Sequence, residues 1–132
     1  MKTIYFVHDS QESPSQRRQI LEMAGYTVEC FTSGAACLEA MENSLPALIL
    51  MDILIEGPNG FETTRRIRED FTPNDVPILL TSKIYRSRQF REEARASGAQ
   101  GYLLRPLDLD AMVRDVGTLC GEVMAPRGEA AA

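Results

Sequence analysis

Residues 48–60 read LILMDILIEGPNG. Four apolar side chains, Leu48, Ile49, Leu50 and Met51, run without a break into one carboxylate, Asp52. A run that is apolar at every position, not at alternate ones, fits a strand covered on both faces, as in a parallel sheet. Gly57, Pro58, Asn59 and Gly60 then form a loop, after which helical spacing resumes. Asp52 therefore falls where a buried strand surfaces. In open α/β sheets ligands bind at that carboxyl edge, which makes Asp52 the first candidate for a working residue.

Moving outward, strands and helices alternate. Thr3 to His8 is β-branched and aromatic and reads as the first strand, ending in His8-Asp9. Ser13-Pro14-Ser15-Gln16 has the form of a capping box with proline at the first helical position, opening a helix that runs to about Ala24, with Gly25 as its stop. Thr27 to Phe31 is a second, edge-like strand. Ser33 caps a second helix with Leu38 and Met41 inward. The third helix starts near Asn59 and ends before Pro73, with Phe61, Ile67 and Phe71 toward the core. Val76 to Thr81 is the fourth strand, with Pro77 tolerable only near its start. A fourth helix lies within Arg86 to Ser97, with Phe90, Ala94 and Ser97 on its inner face. Gly101 to Arg105 is the fifth strand. Asp108 caps a fifth helix with apolar positions Leu109, Met112, Val113, Val116, Leu119, Cys120 and Val123. Five strand–helix units in strict alternation predict a doubly wound parallel sheet with right-handed crossovers. The domain is expected over 1–124. The tail 125–132 (APRGEAAA) is expected to be disordered, either a frayed end or the start of a linker.

The 132 residues suffice for one domain with a real core, and 44% hydrophobic and 25% charged content are ordinary for a globular protein. A net charge of −5 argues against nucleic-acid binding by the domain alone, since that affinity comes largely from neutralising phosphates. Cys30, Cys37 and Cys120 form no CxxC pair and fit a reducing compartment. The apolar N-terminal run is too short for a signal peptide and no segment is long enough to span a bilayer, so a cytoplasmic location and no membrane partner are expected.

The strand ends carry the chemistry. Strand one ends in His8 and Asp9, strand three in Asp52, strand four in Thr81 and strand five in Arg105 before Pro106. In a parallel sheet these ends share one edge. Any one of them alone reads as a polar strand terminus meeting solvent; together around Asp52 they read as a site. The pattern resembles the receiver domain of bacterial two-component response regulators. The resemblance spans about Lys2 to Met124 and rests on Asp9, Asp52 with Gly60 after it, Thr81, Gly101-Tyr102 and Arg105-Pro106.

The resemblance implies a flavodoxin-like sheet with strand order 2-1-3-4-5 and five helices. It implies that Asp52 accepts a phosphoryl group from a sensor histidine kinase or phosphotransfer protein. Mg²⁺ would be held by Asp9, Asp52 and the Leu54 carbonyl. Thr81 would bond the phosphoryl oxygens, Arg105 would supply charge, and Tyr102 would switch between exposed and buried positions. The signal would leave through the face of helix 4, strand 5 and helix 5, toward a downstream protein or a missing output domain, and a homodimer through that face is a further expectation. Such a chain is a signalling phosphoacceptor, not an enzyme beyond its own phosphoryl transfer and dephosphorylation.

Two positions depart from the family pattern. His8 stands where a first acid is usual, which removes a negative charge and predicts weakened Mg²⁺ binding; imidazole also favours softer ions. Arg105 stands where lysine is usual. Its planar fork could lock onto Asp52 or clamp the phosphoryl group, and both remain open. The peptide before Pro106 is expected to be cis. Leu54 is apolar where attacking water is positioned, predicting a slowly decaying phosphoryl form. Arg86, Arg88, Arg91 and Arg95 make the fourth helix basic, either as a solvated face or as a dock for an acidic partner. The alternative function is a pseudo-receiver, an interaction module independent of phosphorylation. A haloacid-dehalogenase-like phosphatase is disfavoured because Leu54 stands where a second aspartate is needed. A flavodoxin is disfavoured because Asp9 opposes a phosphate and the chain has no tryptophan.

Overall fold

The structure is a computed structural model that describes residues 2–121. The elements follow in the order β1 (Thr3–Val7), α1 (Ser15–Met23), β2 (Thr27–Phe31), α2 (Gly34–Met41), β3 (Leu48–Asp52), α3 (Gly60–Arg68), β4 (Ile78–Ser82), α4 (Arg88–Ser97), β5 (Gly101–Leu104) and α5 (Leu109–Leu119). The strands form one parallel sheet in the order β2-β1-β3-β4-β5. This is the expected doubly wound, flavodoxin-like α/β architecture. The winding reverses between β1 and β3, so the crevice at the carboxyl edge opens there.

β3 is buried at all five positions. Its side chains alternate between two cores. Leu48 and Leu50 join Ile4, Phe6 and Leu79 beneath Leu21 of α1 and Met112 and Val116 of α5. Ile49 and Met51 join Tyr5, Val7, Ile78 and Leu80 against Cys37, Phe61, Ile67 and Ala94 of α2, α3 and α4. Asp52 continues the Leu48–Leu50 row. That parity aims it at the layer of α1 and α5.

Three helix starts follow from local chemistry: Ser33, Asn59 and Asp108 each accept a backbone N–H of the first turn at 3.1, 2.9 and 3.1 Å. The first helix differs from expectation. Pro14 is its N-cap and no side chain caps it. Ser13 Oγ is engaged by Ser15, whose N–H donates to it at 3.2 Å, so the reciprocal box with Gln16 does not close. The fourth strand also shifts, starting at Ile78 and including Ser82. The Val76 carbonyl accepts from Arg68 at 2.8 Å and is withdrawn from the ladder, while Pro77 has no N–H to give. β1 and β5 stop one residue short of His8 and Arg105. Cys37, not Leu38, is the fully buried residue of α2; Leu38, Phe71 and Phe90 are only partly buried. Val123 and the 125–132 tail lie outside the described residues.

The loop over Asp52 closes against Gly60. Its N–H donates to the Ile53 carbonyl at 2.8 Å, and a Cβ there would stand 2.8 Å from Ile53 Cα and 3.0 Å from the Asp52 carbonyl oxygen. Those neighbours are backbone and cannot turn aside. Gly60→Ala is therefore expected to destabilise the fold by about 1–3 kcal/mol, the usual cost of overpacking, as a lowered urea midpoint at unchanged slope.

Candidate functional site

Parallel register places Asp52 directly beside Thr81. Both are buried, and the Thr81 hydroxyl donates to Asp52 Oδ1 at 2.5 Å. The strands alone thus bring the expected acceptor and the expected hydroxyl into contact.

The strongest partner of Asp52 was not anticipated from the sequence. Arg17, on α1, grips the carboxylate with both ends of its fork: Nη1 donates to Oδ1 at 2.7 Å and Nη2 to Oδ2 at 3.0 Å. Both residues are buried, Arg17 at 6% and Asp52 at 3% exposure. The guanidinium also lies 4.4 Å from the centroid of the Phe6 ring, in cation–π position. A signal for Arg17 was present. It lies four residues before Leu21, so one helical turn separates it from a fully buried side chain on the same stripe. A charge on an inward stripe needs a buried partner, and the polar edge of the α1-facing sheet supplies one.

Arg105 is drawn elsewhere. Its Nη1 donates to Glu12 Oε1 at 2.8 Å and stands 3.8 Å from Asp52 Oδ2. Glu12, also not anticipated, takes the Lys83 ammonium on its other oxygen. The Lys83 hydrogen bond first, then the Arg105 guanidinium, hold the Glu12 carboxyl down at about 2, against an ordinary value of 4.5. Arg86 donates to the Arg105 carbonyl at 3.0 Å, and the Arg105–Pro106 peptide is cis, as expected.

The other expected site residues are spread around this pair. Asp9 lies at the same edge; its backbone N–H points at Asp52 Oδ2 from 3.4 Å, and its carboxylate accepts the Gln11 N–H at 2.9 Å. His8 is buried. Its Nδ1–H donates to the Asp9 carbonyl at 3.0 Å and its ring packs 5.3 Å from that of Phe6. Leu54 lines the cleft and is exposed. Tyr102 makes its contacts elsewhere: it is buried, its hydroxyl donates to the Tyr85 carbonyl, and Arg91 lies 5.8 Å from its ring centroid.

A divalent cation does not fit this arrangement. Both Asp52 oxygens are engaged by Arg17 and Thr81, one Asp9 carboxylate oxygen accepts the Gln11 N–H of its own loop, and the His8 ring is bonded to the Asp9 carbonyl. The cleft between Asp9, Asp52, Thr81 and Arg105 measures about 10 Å³, room for one water. Among the described residues no group of three or more His, Cys, Asp or Glu is placed to hold a metal ion; the expected set of Asp9, Asp52 and the Leu54 carbonyl has only two such side chains and is judged on its geometry alone. Nor, among the described residues, is any helix long and apolar enough to cross a membrane.

The fold and this strand-edge site define a class. Residues 4–116 match the response regulator receiver domain model, and the chain belongs to that family. It is 26% identical to the protein PilH of Pseudomonas aeruginosa, over 90% of this chain and 98% of PilH. Among solved structures it is similar to the receiver domain of the TMAO respiratory system response regulator TorR, with 31% identity, a TM-score of 0.81, and 94% and 100% of the two chains covered. A response regulator from Chloroflexus aurantiacus superposes with a TM-score of 0.83 at 24% identity, over 91% of this chain and 98% of that one, which bears on the fold alone. Phosphoacceptance and Mg²⁺ binding at this edge are typical of the family.

Two outcomes test the site. Arg17→Ala strands a buried carboxylate and is expected to cost about 3–5 kcal/mol in urea unfolding, whereas the double change Arg17→Met with Asp52→Asn removes both charges and recovers most of the loss. The second concerns acid. Because the folded Glu12 titrates below its ordinary value, its contribution is complete above about pH 4.5 and is lost as pH falls toward about 2. Glu12→Gln is expected to flatten the stability–pH curve in that window and to leave its slope at neutral pH unchanged.

Proposed function

We propose that this chain is a receiver-fold interaction module whose output face does not wait for phosphorylation. The observation that carries this reading is the buried, two-point ion pair between Arg17 and Asp52. An arginine cannot discharge its proton at any physiological pH, so the carboxylate stays engaged. Leaving one partner of a buried pair without the other costs about 3–5 kcal/mol, whereas a new hydrogen bond from Thr81 to a charged phosphoryl oxygen returns only about 1.5–3 kcal/mol. Drawing Asp52 away from Arg17 is therefore unfavourable unless the guanidinium follows the charge or a donor, a metal or a partner contributes more. Thr81 already bonds Asp52 and Tyr102 is already buried, so the two residues expected to move on activation have inward positions without a phosphoryl group.

In this reading partners dock on α4, β5 and α5. Tyr85 stacks on Phe90 with centroids 4.5 Å apart, and Arg91 and Arg95 border a groove with Tyr102. The partner is a downstream protein or a further segment of a longer regulator, a homodimer can form through the same face, and the module works in the cytoplasm.

A second reading keeps Asp52 as the phosphoacceptor of a sensor histidine kinase or phosphotransfer protein. It is favoured by the Thr81 hydroxyl on Oδ1 and by Arg105 at 3.8 Å from Oδ2. There one Asp52 oxygen forms the O–P bond, the P–N bond to the donor imidazole breaks, and that nitrogen keeps the electron pair and takes a proton. Arg17 and Arg105 would share the charge of the product, and the apolar Leu54 would leave it slow to hydrolyse.

Incubation with acetyl phosphate, in Mg²⁺ and separately in EDTA, followed by intact-mass measurement separates the two. The expected result is an unmodified wild type that matches Asp52→Ala. A phosphoryl adduct on the wild type, absent from Asp52→Ala, establishes the second reading instead.

A further inference from the structure

We propose that the Arg17 guanidinium is a built-in replacement for a divalent cation, so that this receiver site is organised to work without metal. The proposal goes beyond the reading above, because it holds whether or not Asp52 is ever phosphorylated.

Charge is the first ground. The carboxylates around the site are Asp9, Glu12 and Asp52; the cations are Arg17, Lys83 and Arg105. Three negative charges meet three positive ones, and the site is neutral as it stands. An acid at position 8 and an uncharged side chain at position 17 would leave it two charges negative, the deficit that one divalent ion fills. His8 and Arg17 each move the balance by one unit, in the same direction, and together supply the charge of the ion.

Geometry is the second. A cation serving this edge must touch the Asp52 oxygens, and Arg17 touches both, at 2.7 and 3.0 Å. The guanidinium is held there and not merely nearby. It is buried, and its face rests on Phe6. The same Phe6 ring packs against His8, which is turned from the cleft and bonded to the Asp9 carbonyl. One aromatic ring thus touches both residues: it seats the Arg17 guanidinium and packs against His8, which stands where an acid is usual.

The difference from a metal is in what can leave. A hydrated divalent ion exchanges with solvent and makes the site depend on its concentration. A guanidinium tethered to α1 is always present, and its planar fork matches a carboxylate in two places.

The test reads metal binding and not phosphorylation, so it fails or succeeds independently of the acetyl phosphate experiment. Thermal unfolding and titration calorimetry are run on the full chain in EDTA and with MgCl2 or MnCl2 at up to about 10 mM. Ligand that binds only the folded state must raise the melting temperature. The wild type is expected to show no shift and no saturable heat with either metal. His8→Asp with Arg17→Val is expected to bind Mg²⁺ at least about tenfold more tightly than wild type and to gain several degrees, on the order expected from mass action. Arg17→Met alone, with His8 retained, serves if the double variant is too unstable, and is expected to gain a smaller shift. Saturable Mg²⁺ binding by the wild type overturns the proposal without recourse to any variant. So does a folded Arg17 variant that binds Mg²⁺ no better than wild type.

Discussion

A carboxylate at the end of a fully buried strand must be neutralised, because an isolated ionised group there is too costly to tolerate. In this protein the neutralising charge comes from Arg17. The contact requires three things at once. β3 must reach the surface with the parity that points Asp52 toward α1. α1 must cross that face with Leu21 anchored in the core. Phe6, two residues before His8 on β1, must present its ring beneath the guanidinium. Losing either of the first two leaves a bare carboxylate at the strand end; losing the third removes the face on which the guanidinium rests.

The second network lies over the first. Glu12, in the loop between β1 and α1, holds Lys83 after β4 and Arg105 after β5. It keeps Arg105 nearer to itself than to Asp52, 2.8 Å against 3.8 Å. Arg105 in turn is tied through its carbonyl to Arg86, at the approach to α4. A change in charge at Asp52 would compete with Glu12 for Arg105, and that contest is linked by hydrogen bonds to the helix 4 side of the molecule. Asp9, Glu12 and Asp52 thus share one edge with Arg17, Lys83 and Arg105, and each of these three cations has a carboxylate partner there. The arrangement differs from a simple acceptor cleft, in which the carboxylate waits for its cation. It makes the resting site self-contained.

Much of this was legible in advance. The unbroken apolar run before Asp52, the caps at Ser33 and Asp108, and the strict alternation of elements led to a doubly wound parallel sheet and to the edge where Asp52, Thr81 and Arg105 gather; the strand order came from the family resemblance. The errors had local causes. Ser13 is engaged by Ser15 and does not box with Gln16; Val76 loses its carbonyl to Arg68, so β4 begins later. Arg105 was foreseen near Asp52, but Glu12, which diverts it, is one acidic residue among many in a loop with no distinguishing pattern. Arg17 sits in a polar helix beginning, SQRRQ, where two adjacent arginines look alike. Arg18 bonds Glu22 on the exposed side, while Arg17 turns inward.

The order of residues by itself determined the strands, the family and the position of the central carboxylate. These depend on short-range spacing: apolar runs, periods of two and of 3.6, and polar residues at strand ends. The tertiary structure decided which cation reaches that carboxylate. Between Arg17 and Asp52 the chain passes through the rest of α1, β2, α2 and most of β3, and Arg105 was the only cation the sequence reading put beside Asp52. Only the crossing of α1 over the sheet, with Leu21 packed and Phe6 beneath, brings one guanidinium to 2.7 Å and leaves the other with Glu12. Pairing across such a distance follows from the packing of layers, which no local pattern encodes.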